Sequence, residues 1–103
     1  MAQDNVTVIA TFKAKPGMEA TVREALEAVI PLTRSESGCI NYDLHQSTED
    51  PSIFMLYENW VSKKDLDEHL KMPYLQDIVA KADDMLAEPI GIAFYRMISQ
   101  PAP

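Results

Sequence analysis

The stretch from Ile53 to His69 leaves the chain few ways to fold. Ile53 to Val61 is rich in β-branched and aromatic residues and alternates with the period of a strand, so that Phe54, Leu56, Glu58 and Trp60 share one face. Ser62, with Asp65 three positions on, reads as a helix N-cap in a capping box. A helix that starts so soon after a strand must fold back and pack on it. Burying an unpaired charge is costly, so Glu58 on this apolar face needs a partner or a task. His69 lies between Leu66 and Leu70, near the apolar side of the helix. Strand, turn and helix therefore bring Glu58, Trp60 and His69 towards one pocket. The same residues also allow a plainer reading, a capped helix docked on a strand with Trp60 in the core and His69 at its boundary.

The rest of the chain fits around this unit. Asn5 to Ala14 alternates strictly, with Val6, Val8, Ala10, Phe12 and Ala14 on one face, and Pro16-Gly17 ends the strand. Met18 to about Ser35 carries apolar residues at helical steps. Pro31 predicts a kink or a stop just before it, and Gly38 suits a left-handed cap. Cys39 to Gln46 is a second strand, with Ile40, Tyr42 and Leu44 on one side and Cys39, Asn41, Asp43 and His45 on the other. The polar run Ser47 to Ser52 makes a hairpin with the third strand. Pro73 interrupts the second helix, and the pattern resumes from Tyr74 to Leu86. Ile90 to Ile98 reads as the last strand, and Pro101 to Pro103 as a frayed tail. The order β-α-β-β-α-β over residues 1–103 predicts one α+β domain. It is the ferredoxin-like sandwich, a four-stranded antiparallel sheet with the helices on one face. Strands three and four are apolar on both faces, so the uncovered face is expected to pair with a second copy as a homodimer.

Charge narrows the partners. The formal net charge of −7 argues against nucleic acid and anionic membrane, which require basic surfaces. No apolar run approaches membrane-spanning length, and Met1 to Asn5 has no basic or apolar leader pattern. The single cysteine, Cys39, excludes an internal disulfide framework and fits a reducing, cytoplasmic setting. The two histidines, with no His-x-x-x-His spacing and no Gly-rich phosphate loop, predict a protein without bound metal, flavin or haem.

Gly38-Cys39-Ile40-Asn41-Tyr42, Phe54-Met55-Leu56-Tyr57-Glu58-Asn59-Trp60, and Glu68-His69 followed by Pro73-Tyr74 together resemble the antibiotic biosynthesis monooxygenase superfamily. The resemblance covers nearly the whole chain and looks closest to its small bacterial quinol monooxygenase-like branch. It implies a dimeric α/β barrel with a pocket between helices and sheet in each subunit. Its members include cofactor-free quinol and anthrone monooxygenases, haem-degrading monooxygenases and an isomerase of a phosphorylated hydroxy-diketone. Anthrone-oxidising members use polar residues where this chain has Leu56 and Leu66, which points away from anthrones. Haem-degrading members use an Asn on strand one and a later His in helix two. Strand one here offers Thr7 and Thr11, and no histidine follows His69.

Oxygen insertion without a cofactor needs an electron-rich quinol or phenol, a base and a dry pocket, with molecular oxygen as co-substrate. His69 is the natural base near neutral pH, with Glu58 orienting the imidazole or stabilising its cation. Trp60, Tyr42, Phe54 and Leu66 are expected to wall a flat ring, and Tyr74 to close the mouth. The same base could move a proton alpha to a carbonyl, which is isomerase chemistry. A non-enzymatic dimer binding a small stress metabolite is the third alternative.

Overall fold

A computed structural model of the chain describes residues 5–101. The expectations for Met1 to Asp4 and for Ala102 and Pro103 of the tail lie outside those residues. The elements are β1 (Val6–Lys13), α1 (Glu19–Arg34), β2 (Cys39–Gln46), β3 (Ile53–Trp60), α2 (Lys63–Leu70), α3 (Pro73–Met85) and β4 (Gly91–Tyr95). The strands form one antiparallel sheet in the order β2-β3-β1-β4, the ferredoxin-like arrangement.

Register decides which side chains meet. Residues directly opposite one another share a sheet face. Tyr42, Glu58, Val8 and Phe94 therefore form one row across all four strands, and Leu44, Leu56, Ala10 and Ile92 form the next. Both rows face the helices. Val22, Leu26, Val29 and Thr33 of α1 and Leu66 and His69 of α2 are buried against that face, together with Ile78 and Met85 of α3.

Local chemistry departs from the sequence expectations in several places. Pro31 does not stop α1, which runs on to Arg34. The helix loses one backbone N–H there, but a proline so near the C-terminus leaves only one turn to hold. Gly38 is not left-handed. Among the described residues the only positive φ is at Gly17, 86°. Gly38 is instead a spacer, since a Cβ there would lie 2.2 Å from Asp65 Cγ. A bulge between Cys39 and Asn41 breaks the alternation of β2. Cys39 comes to lie opposite Trp60 on the helix side, and Ile40 is half exposed.

Pro73 divides the second helical segment in two, so the helix layer has three members. Met72 is extended at φ −64°, ψ 139°, as the proline after it requires, and Pro73 starts α3. Ser62 caps α2 as expected, accepting from the Asp65 N–H at 3.2 Å. The final strand ends at Tyr95, short of Ile98. Ile92 and Phe94 belong to the helix side of the sheet but stay exposed, because the helices do not reach the β4 edge.

Candidate functional site

Between the sheet rows and the helices lies a pocket that opens to solvent. Its floor includes Val8, Ala10, Tyr42, Leu56 and Glu58, and its roof Leu66, His69 and Ile78. Ile92 and Phe94 of β4 form the rim. Its lining is apolar apart from Tyr42, Glu58 and His69, and includes no Lys or Arg. This lining suits a small, largely apolar ligand.

His69 is 1% exposed, and three contacts hold its ring. Trp60 packs beside it with centroids 4.4 Å apart, and Tyr42 meets it edge-on at 5.4 Å. The third contact comes from Glu36, whose Oε2 lies 2.9 Å from His69 Nδ1. The Tyr74 hydroxyl donates to the same Glu36 oxygen. With Nδ1–H donating to Glu36, the Nε2 lone pair is the free one, and no described residue hydrogen-bonds to it. Burial lowers the imidazole's pKa, and the hydrogen bond and charge of Glu36 oppose that only in part. The neutral form is therefore the resting one at neutral pH, and a neutral imidazole with a free Nε2 can take a proton from a ligand.

Glu36 sits where it does because the chain reverses tightly after α1. Its N–H bonds to the Thr33 carbonyl at 3.0 Å, and its own carbonyl accepts from the Cys39 N–H at 3.1 Å. Gly38 then lets the loop touch the start of α2 through Asp65, and the Gly38 carbonyl accepts from the Val61 N–H at 2.9 Å. The orienting role expected of Glu58 thus falls to Glu36. The run Ser35 to Gly38 looks like a helix exit, and nothing local marks its acid. The available signal was the hairpin register, which sets Cys39 opposite Trp60 and so brings Glu36 to the start of α2.

Glu58 has a different partner. Its Oε1 accepts from Trp60 Nε1 at 3.0 Å, an in-strand contact two residues apart that serves two buried polar groups at once. No described residue donates to its other oxygen. Burial foremost, then the charge of Glu36, push its carboxyl up to about 7, against the pull of the Trp60 hydrogen bond. Burial also raises the Tyr42 hydroxyl, and Tyr74 is pushed up to about 12 by burial and by Glu36.

The other expected wall residues divide. Tyr42 and Leu66 line the cavity. Trp60 is fully buried behind His69, and its ring supports the imidazole. Phe54 is buried two rows from Glu58 and borders a separate cleft with Arg23 and Arg34. Tyr74 reaches the site through Glu36. His45 is exposed. Among the described residues no three His, Cys, Asp or Glu side chains gather as a metal site would, and no helix is long and apolar enough to cross a membrane.

Known proteins share both sequence and shape with this chain. The family model described as "Antibiotic biosynthesis monooxygenase" matches residues 5–81. An uncharacterised Synechocystis protein, sll1783, is 31% identical over 93% of this chain, which spans 65% of that protein's length. Rv0793 of Mycobacterium tuberculosis is 34% identical over 84% of this chain and 85% of its own. The solved structure of Rv0793 superposes with a TM-score of 0.89, covering 95% of this chain and 99% of that one at 31% identity. PA3566 of Pseudomonas aeruginosa also gives 0.89, covering 96% and 99% at 26% identity.

Proposed function

The chain belongs to the antibiotic biosynthesis monooxygenase family, and from that premise we propose that it is a cofactor-independent monooxygenase acting on a small quinol or phenol. One observation carries the reading. A buried imidazole, anchored through Nδ1 by Glu36, borders an apolar cavity with Nε2 free. His69 is the base. It takes the hydroxyl proton of the substrate, and the resulting anion is electron-rich enough to reduce O₂. One oxygen atom enters the ring and the other leaves as water, with the substrate as the source of electrons. Trp60 and Tyr42 hold the imidazole in plane, and the apolar lining excludes the water that would quench the anion. Family membership and the name of Rv0793, which designates that protein provisionally a monooxygenase, support the reaction class.

The working unit in this proposal is a homodimer. The sheet face away from the helices carries Ile9, Met55, Tyr57 and Tyr95, all outside the helix-covered core. These apolar residues, on a face that β2 completes with Asn41, Asp43 and His45, form a partner surface, and a second copy supplies a matching one.

The test is oxygen uptake by metal-free protein over a panel of quinols and naphthols. Turnover of at least one member, lost in His69→Ala, is the expected result. No uptake with any member, or full activity in His69→Ala, would overturn the proposal.

A further inference from the structure

The proposed reaction leaves the buried carboxyl of Glu58 unused. Glu58 is 4% exposed, borders the cavity, and has a single described hydrogen-bond donor, Trp60 Nε1 on Oε1. No described cation pairs with it, and no Lys or Arg lines the cavity. A carboxylate so placed loses hydration and gains no counter-ion, so the neutral acid is favoured. Trp60 occupies the carbonyl-type oxygen. The acid proton then belongs on Oε2, which no described donor reaches.

Resting on the reading of this cavity as the ligand site, we propose that protonated Glu58 donates a hydrogen bond to a ligand oxygen, so that the site selects uncharged oxygenated aromatics and rejects anions. His69 and Glu58 then recognise different ends of one molecule. His69 Nε2 accepts from a hydroxyl, and Glu58 donates to a carbonyl or ether-type oxygen. The groups around Glu58 agree with this. Tyr42 faces it from β2, Glu36 from the loop after α1 and His69 from α2, while Val8 of β1 and Phe94 of β4 complete its row. None of these is a fixed cation. A phosphate or carboxylate entering here would meet an apolar wall with no Lys or Arg to pair with.

Calorimetric binding of two non-reacting probes tests the assignment. 1-Tetralone is an uncharged aromatic ketone that only accepts hydrogen bonds, and 1-naphthoate is an anion of similar size. Glu58 ionises near 7, whereas burial lowers the imidazole from its ordinary 6.5, so a fall in affinity from pH 6.5 to 8.5 reads the acid. Wild-type affinity for tetralone is expected to fall about tenfold across this range, the worth of one buried hydrogen bond to a charged or strongly polar group. Glu58→Gln keeps the acceptor for Trp60 and offers an N–H at every pH, so its affinity should stay high and flat. Naphthoate should bind at least tenfold more weakly than tetralone at pH 6.5. Flat wild-type affinity, an equal fall in Glu58→Gln, naphthoate binding as tightly as tetralone, or no binding of either probe would each overturn the assignment. Normal tetralone binding without oxygen uptake on any quinol sinks the monooxygenase reading alone. Oxygen uptake with pH-independent tetralone binding sinks the Glu58 assignment alone.

Discussion

Replacing Glu58 with glutamine should change how stability depends on pH more than stability itself. The side chain is almost fully buried, and its carboxyl is pushed from 4.5 to about 7, chiefly by burial. Between these values the folded state holds a proton that the unfolded chain has released. Stability therefore falls as pH rises. The contribution is fully present below pH 4.5 and is lost as pH rises through about 7. At about 1.36 kcal/mol per pH unit, the interval is worth on the order of 3 kcal/mol. Glutamine does not titrate but still accepts from Trp60 Nε1, so the variant should lack this slope.

The measurement is urea unfolding of both proteins from pH 4.5 to pH 8.5. The difference between them cancels the other titrating groups, including His69, whose lowered pKa costs stability as pH falls below its ordinary value. Relative to wild type, Glu58→Gln should gain about 3 kcal/mol from one end of the range to the other. Trp60→Phe should move the wild-type transition upward in pH, since the indole N–H holds the carboxyl down. Parallel pH profiles for wild type and Glu58→Gln would refute the reasoning, for Glu58 would then titrate alike in folded and unfolded chains.

His69→Ala should lower oxygen-uptake turnover by about 10²- to 10⁴-fold, with a much smaller loss of ligand affinity. Glu36→Gln should move the apparent pKa of the turnover profile downward, because the Glu36 hydrogen bond and charge favour the imidazolium, and ¹⁵N spectra should show a mixed His69 tautomer. Gly38→Ala should destabilise by about 1–3 kcal/mol in urea unfolding, the usual cost of overpacking, and Asp65→Gly in the same chain should recover much of it by removing the contacting side chain. Tyr95→Asp, on the uncovered face opposite the helices, should convert a sedimenting dimer to monomer. A wild-type monomer at micromolar concentration would rule out the homodimer.

The sequence made the element order and the fold legible because its signals were local and strong. Alternation fixed β1 and β3 within a residue or two, Ser62 with Asp65 marked the start of α2, and the polar Ser47–Ser52 run set the hairpin. What it hid was decided by tertiary contact. Pro31 is tolerated because only one turn of α1 follows it. Gly38 is needed for space beside Asp65, a partner that is distant in sequence. The bulge at Ile40 depends on how β2 meets β3. Site legibility followed the same line. His69 and Glu58 stood out as polar residues on apolar faces. Glu36 stood on no periodic element, and only the assembled hairpin brings it to His69.

Burial shifts His69 and Glu58 in opposite directions and favours the uncharged form of each. It lowers the imidazole and raises the carboxyl, because in each case it penalises the charged form. With both in the form that burial favours, the pocket holds a base and an acid but no charge on either. An uncharged aromatic enters without displacing an ion pair. In the proposed reaction charge appears only when His69 takes the ligand's proton, and it appears as a pair, a ligand anion against an imidazolium whose Nδ1–H already rests on Glu36. The proposed donor on the far wall, Glu58, would strengthen its hydrogen bond as the ligand oxygen gains negative charge. Interactions that grow with the charge of the transition state raise turnover rather than affinity. The buried polar groups that cost the fold stability are thus the ones able to separate charge inside an apolar space.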